Sequence, residues 1–184
     1  MFQELLEKIA LALEMREIPY MLIGGQAVLL YGEPRLTRGI DIILGMGPEQ
    51  LSDVRDMVKG LGWKVLVEAP ETFVRKTMVL PCLEPEMGIR VDLIFSSSPY
   101  EREAMERVRR VPIGRAQVRF ASIEDLIIHK IIAGRQRDLE DVKSVLIKNP
   151  GVDVTYIRRW LAPFEEILLE PLLKRFDEIR ETSQ

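Results

Sequence analysis

Apolar residues recur at helical spacing at the start of the chain, with polar side chains on the opposite face. Leu5, Ile9 and Leu13 come at every fourth position, which predicts an amphipathic helix that Pro19 ends. The short apolar run over 20–23 then predicts a buried strand that stops at a Gly-Gly pair, followed by a helix over 26–31.

The same patterns place the later elements. Apolar and β-branched runs predict strands over 40–44, 63–67, 78–83 and 89–95, and helical spacing predicts helices over 51–61, 100–110 and 122–133. A short hairpin is expected around 113–114, and the remainder is predicted to be helical with a break at 149–151. We therefore expect an α/β (α+β) fold, a mixed β-sheet flanked by helices. The predicted organisation is a single domain over 1–184, with an α/β core over 1–120 and a helical C-terminal region over 121–184.

Composition narrows the class of protein. The 184 residues are 47% hydrophobic and 30% charged, as in ordinary globular proteins. The net charge of −3 gives no global basic field for nucleic acid, and a single cysteine excludes an internal disulfide and a multi-cysteine metal site. No apolar run approaches the ~20 residues that cross a bilayer, and the first residues mix acids into their apolar pattern. We expect a cytoplasmic protein with no membrane partner.

Two carboxylates interrupt apolar strands. Asp41 lies in the run over 39–44, and Asp92 shares one face of the strand over 89–95 with Arg90 and Ile94. A buried carboxylate is costly unless it is paired or bound to a metal, so two such strands could form a hard-cation site. The alternatives are the solvent face of an edge strand, or pairing of Asp41 with an arginine such as Arg35 or Arg38.

Two further features could contact phosphate. Gly24 and Gly25 stand at a strand-to-helix junction, where a sharp turn exposes backbone N–H groups to an anion; a plain tight turn is the alternative. Lys130 lies among isoleucines on a predicted helix, so we expect its ammonium to reach out from a partly buried stem toward phosphate. The alternative there is a solvated helix face with i,i+4 pairs such as Arg137–Asp141.

Taken in chain order, these pieces resemble a known family. Residues 22–41 resemble the opening motif of the DNA polymerase β-like nucleotidyltransferase superfamily, in which a Gly-Gly turn precedes a helix and an Arg-x-Thr-x-Asp-x-Asp segment enters the next strand. The match is closest to its small prokaryotic members, the minimal nucleotidyltransferases and the abortive-infection type toxins. Asp92 corresponds to the third aspartate, and residues 125–141 resemble a Lys-x-x-Ala…Arg-Asp-x-x-Asp element. The resemblance covers roughly residues 20 to 145.

The resemblance implies a set of functional residues. It implies Mg²⁺, or Mn²⁺ in its place, held by Asp41 and Asp92 as the metal and catalytic residues. It also implies an NTP-binding group and a supporting group, the first comprising Gly24, Gly25, Lys130, Arg137 and Asp138 and the second Arg35, Thr37 and Asp141. One departure stands out, because Gly39 occupies the position of the family's first aspartate and one expected metal ligand is therefore missing.

Two functions from different classes remain open at this point. The first is transfer of a nucleoside monophosphate from an NTP to a hydroxyl on RNA, protein or a small molecule. The second is a catalytically degenerate fold that binds a nucleotide or a partner protein, for example in a toxin–antitoxin pair.

Signals for an acceptor or a partner are weak. Six arginines over 102–119 could meet RNA phosphates, with a solvated face as the alternative. Tyr156, Trp160 and Phe164 form a stripe that suits packing, or equally self-association or a partner helix. His129 and Cys82 are expected to be non-catalytic. The sequence carries no signal for oligomeric state.

Overall fold

The chain folds into two compact units. The computed structural model describes residues 2–34 and 39–183. Among these residues, the first unit comprises 2–23 and 39–120, and the second comprises 24–34 and 121–183.

The described residues of the first unit form a 7-stranded mixed sheet. Its strands are β1 (Tyr20–Ile23), β2 (Gly39–Leu44), β3 (Lys64–Val65), β4 (Val79–Glu84), β5 (Ile89–Phe95), β6 (Arg109–Ile113) and β7 (Ala116–Phe120). They are ordered β3-β4-β5-β2-β1-β7-β6. The β2–β5 and β1–β7 pairs are parallel and the other pairs are antiparallel.

Helices are found in both units of the described chain. They are α1 (Phe2–Glu14), α2 (Gly24–Tyr31), α3 (Leu51–Gly60), α4 (Pro70–Thr77), α5 (Pro99–Glu106), α6 (Ile123–Ala133), α7 (Gln136–Lys148), α8 (Val154–Leu168) and α9 (Leu172–Glu181), with a short 3₁₀ turn at Pro48–Gln50. Helices α2 and α6–α9 belong to the second unit, and the others to the first. The predicted fold class, a mixed sheet with flanking helices and a helical C-terminal third, is confirmed.

Helix α6 shows how local chemistry sets these boundaries. The Ser122 hydroxyl accepts a hydrogen bond from the Asp125 N–H at 3.1 Å, as the capping pattern predicts. At the other end Gly134 adopts a φ of 63°, and its N–H donates to the Lys130 carbonyl. A glycine accepts this left-handed conformation at little cost and so ends the helix.

The segment 24–34 is tied to the C-terminal helices by side chains. The Tyr31 hydroxyl donates to the Ala121 carbonyl at 2.9 Å, and the Asn149 side-chain amide donates to the Tyr31 carbonyl at 2.8 Å. Lys148 Nζ donates to the Gly32 carbonyl at 3.1 Å. These bonds place α2 in the second unit although it directly follows β1 in the sequence.

The structure corrects two sequence expectations and adds one helix that the sequence did not predict. The helix expected over 100–110 ends at Glu106, and Arg109 and Arg110 instead begin β6, which pairs with β7. Helix α4 was not expected from the sequence. Strands β2 and β5 are interior strands of the sheet, so the edge-strand alternative for their carboxylates is wrong.

No helix in the described part of the chain is both long enough and apolar enough to cross a membrane.

Candidate active site

The sheet brings Asp41 and Asp92 side by side. Strands β2 and β5 run parallel with Asp41 as the Cα partner of Asp92. Neighbouring strands lie ~4.8 Å apart, and directly opposed residues on them project to the same face of the sheet. The two carboxylates therefore project from the same face of the sheet, on two of its interior strands.

This face is partly open to solvent. The alternate residues of β2 and β5 on the opposite face, such as Ile40 and Val91, are fully buried. Asp41 is half-buried, and the Asp92 side chain is 22% exposed. In the same row across the sheet, Pro81 is the partner of Asp92 on one side and Ile23 is the partner of Asp41 on the other. The two acids thus lie between apolar neighbours at a place where solvent and a ligand can reach them.

The next row of this face carries Arg90 opposite Gly39. The two residues are Cα partners across β2 and β5. Arg90 Nε donates to both carboxylate oxygens of Asp92, at 2.9 and 3.0 Å. The sequence had placed Arg90 on the face of Asp92 without giving it a role; the i,i+2 spacing of the two residues was the available signal.

The donor set fits one divalent cation and not a pair. Two adjacent carboxylates repel each other, and a hard cation with oxygen ligands relieves that repulsion. The described residues contain no group of three or more His, Cys, Asp or Glu side chains that could hold a metal ion. Residues 35–38 add no such side chain either, since they are Arg, Leu, Thr and Arg. Asp41 and Asp92 can therefore supply two protein ligands, and a bound nucleotide or water would have to complete the coordination.

Lys130 differs from its sequence expectation. It is only 4% exposed, and its ammonium lies 2.8 Å from Asp138 and 2.7 Å from Asp141. The expectation that this ammonium reaches out of the protein is wrong, because Asp138 and Asp141 share one face of α7 and enclose it. Arg135 also donates to Asp138, at 2.6 Å.

These contacts determine the protonation of the cluster. Burial by itself raises the pKa of Asp138, but hydrogen bonds from Arg135 and Lys130 outweigh it and hold that pKa below its usual value. We call Lys130, Asp138 and Asp141 the buried ion cluster of the second unit. Its ion pairs join α6 to α7.

The remaining predicted residues lie as follows. Gly24 begins α2 with a φ of 65°, a conformation that needs glycine, and Gly25 follows it in the same helix. Arg137 lies in the first turn of α7. Arg35 and Thr37, predicted to support the site, lie outside the described residues.

Other residues raised by the sequence lie in ordinary structural positions. Cys82 is buried in β4, and burial raises the pKa of its thiol to about 12. Tyr156 is buried in α8, where its hydroxyl donates to Asp125 at 2.8 Å, which accords with a packing face.

The mixed sheet with its flanking helices is a nucleotidyltransferase-like α/β fold. A family model described as nucleotidyltransferase of unknown function, DUF6036, matches residues 1–170. The chain belongs to this family, and the resemblance to nucleotidyltransferases found in the sequence is confirmed. No curated protein sequence matches the chain.

Solved structures agree on the fold. A crystal structure of ANT(2″)-Ia in complex with adenylyl-2″-tobramycin is 17% identical with a TM-score of 0.62, covering 90% of this chain and 98% of that one. An antigenic nucleotidyltransferase-like protein from Paracoccidioides brasiliensis is 15% identical with a TM-score of 0.57, covering 95% and 91%. The lincomycin-bound lincosamide adenylyltransferase LnuA is 17% identical with a TM-score of 0.51, covering 72% and 89%. At these identities the likeness is one of fold.

Proposed function

We propose that this protein transfers a nucleoside monophosphate from an NTP to a hydroxyl group. The observation that carries the proposal is the in-register pair of Asp41 and Asp92 on the open face of two central strands. Family membership supports nucleotidyl transfer in general, and the carboxylate pair supports a site for it on this chain.

In the proposed reaction the oxygen of the acceptor hydroxyl bonds to the α-phosphorus and its proton is released to solvent. The bond from that phosphorus to the oxygen bridging the α- and β-phosphates breaks and releases pyrophosphate. Asp41 and Asp92 would hold Mg²⁺, or Mn²⁺ in its place. Such a cation supplies positive charge to the phosphate oxygens when it is bound. The backbone N–H groups that begin α2, at Gly24 and Gly25, suit phosphate binding at a helix N-terminus.

The other predicted nucleotide contacts, Lys130, Arg137 and Asp138, belong to the second unit. Lys130 and Asp138 are engaged with each other, so we propose that they act by holding α6 against α7 rather than by touching phosphate. A direct role for Arg137 in binding the nucleotide stays a prediction.

We propose a small molecule as the first acceptor class. ANT(2″)-Ia was solved with an adenylylated antibiotic and LnuA with lincomycin, and both share this fold. RNA and protein hydroxyls, which the sequence left open, are the other arms of the test. A cytoplasmic location and a toxin–antitoxin partner stay predictions.

One observation favours the second candidate, a fold that binds nucleotide without turnover. Gly39 supplies no carboxylate in the row next to Asp41, and Arg90 neutralises Asp92. Loss of a supporting partner at a metal site typically costs ~10–100-fold in affinity or activity, and loss of a ligand should cost at least as much.

The experiment has two parts. A titration measures binding of each NTP in the presence of Mg²⁺. A transfer assay then offers each α-labelled NTP hydroxyl-bearing small molecules, RNA and the protein itself as acceptors. We expect label transfer by the wild type, its loss in Asp92→Ala and its increase in Gly39→Asp. Gly39→Ala is the matched control, because a Cβ there comes 3.2 Å from the Arg90 carbonyl oxygen and tests that tight contact without adding a carboxylate.

The outcomes separate the two candidates. NTP binding without transfer by the wild type, with transfer appearing in Gly39→Asp, supports the degenerate fold. Absence of NTP binding by the wild type rules out both nucleotide functions and leaves partner binding.

A further inference from the structure

Arg90 is a positive charge built into the candidate site. Its guanidinium nitrogen Nε lies within hydrogen-bond distance of both oxygens of Asp92. The Arg90 side chain is 58% exposed while that of Asp92 is 22% exposed. The pair is thus open on the arginine side, and the head group can move without unpacking the core.

The opposing strand leaves room for this arrangement. Gly39 is the direct partner of Arg90 and carries no side chain on the face that both residues share. A carboxylate at this position would compete with Asp92 for the guanidinium. Because position 39 is a glycine, no carboxylate there competes for the guanidinium, and Arg90 pairs with Asp92.

We propose that Arg90 takes the place of a second cation: its guanidinium holds Asp92 in the empty site and exchanges Asp92 for the triphosphate when a cation–nucleotide complex binds. This inference rests on the proposed function. Carboxylate and phosphate are both bidentate partners of a planar guanidinium, so the exchange replaces one strong pair by another. A partly exposed ion pair is weak enough to be given up.

Two binding measurements on Arg90→Gln test the two halves. The first is titration with Mn²⁺ alone, in which electron paramagnetic resonance measures the concentration of the free ion. Removing a competitor for Asp92 should tighten Mn²⁺ binding roughly fivefold, the factor that corresponds to an ion pair worth about 1 kcal/mol. The second is titration of ATP at saturating Mn²⁺, where the cation already occupies Asp92, and loss of the Arg90 contact to phosphate should weaken ATP binding by a similar factor.

Arg115→Gln is the matched control. Arg115 is also an exposed arginine with a carboxylate partner, Glu7, and it lies in the turn between β6 and β7, several strands from β5. Its replacement makes the same change in net charge, so neither titration should respond to it. Circular dichroism of each variant verifies that the fold is retained.

The results distinguish this inference from the function on which it rests. If wild type binds ATP but Arg90→Gln binds Mn²⁺ equally or more weakly, Arg90 does not compete for Asp92 and the inference fails while the function stands. If Mn²⁺ binding tightens but ATP binding at saturating Mn²⁺ is unchanged, the exchange to phosphate is refuted. If the wild type binds no nucleotide, the proposed function fails, and so does the exchange.

Discussion

Replacing Lys130 by methionine should strongly destabilise the second unit. Methionine keeps most of the apolar stem but leaves the carboxylates of Asp138 and Asp141 buried without the ammonium that lies 2.8 and 2.7 Å away. Breaking a buried ion pair by removing one partner costs about 3–5 kcal/mol. Arg135 still reaches Asp138, so we expect the lower end, ~3 kcal/mol.

The assay is urea unfolding followed by tryptophan fluorescence. The chain has two tryptophans, Trp63 in the first unit and Trp160 in the second, so a Trp63→Phe background makes Trp160 the reporter. With a slope of about 2 kcal/mol/M, a loss of ~3 kcal/mol lowers the midpoint by ~1.5 M. Lys174→Met is the control, since Lys174 is 75% exposed and 3.7 Å from Glu178, and exposed pairs contribute less than ~1 kcal/mol.

The pH dependence tests the cause of the loss. The pKa of Asp138 is held low in the folded protein, so its pairing stabilises the wild type above the unfolded value of ~3.9. That contribution is lost as pH falls through the lowered folded pKa. In Lys130→Met the stranded Asp138 carboxylate can take up a proton, so the loss of unfolding free energy relative to the wild type should shrink from pH 7 to pH 4. A loss below ~1 kcal/mol at pH 7, or a deficit independent of pH, would refute the reasoning.

Two further predictions concern single residues. The Cys82 thiol, buried and with its pKa raised to about 12, should resist iodoacetamide at pH 8 in the folded protein and take up one equivalent after denaturation; modification of the native protein at the denatured rate would contradict this. Gly134→Ala should cost ~1–2 kcal/mol, because φ is 63° and the new Cβ would lie 2.6 Å from Arg175 Nη1. Gly151→Ala is the control, because Gly151 has open space around it. Equal urea midpoints for the two variants would show that the left-handed conformation of Gly134 does not contribute to stability.

The sequence predicted correctly the helix ends that are determined by hydrogen bonds between residues close together in the chain. Ser122 and Gly134 mark the ends of α6 because each bonds to backbone within one turn. Arg109 and Arg110 gave no such signal. They lie on an exposed edge strand, so the alternation of apolar residues is weak there, and pairing with β7 decides their conformation.

The sequence predicted the two carboxylates of the candidate site but not their contacts with other segments of the chain. Acids interrupting apolar strands pointed to Asp41 and Asp92, but their register across β2 and β5 depends on how distant segments pair. The pairing of Arg90 with Asp92 and the enclosure of Lys130 by α7 are tertiary contacts. Helical spacing alone placed Lys130 among isoleucines and could not show that Asp138 and Asp141 close over its ammonium.

Calorimetric titration of ATP shows whether Asp41 and Asp92 together hold one cation with a nucleotide. We expect the wild type to bind ATP far more tightly with Mg²⁺ than with EDTA, and Asp92→Ala to lose at least ~10-fold of the Mg²⁺-dependent affinity. Asp177→Asn, which removes another partly exposed acid paired with an arginine, should bind as the wild type does. Equal affinity with and without Mg²⁺, or an Asp92→Ala variant that binds like the wild type, would show that these two carboxylates do not hold a cation with the nucleotide.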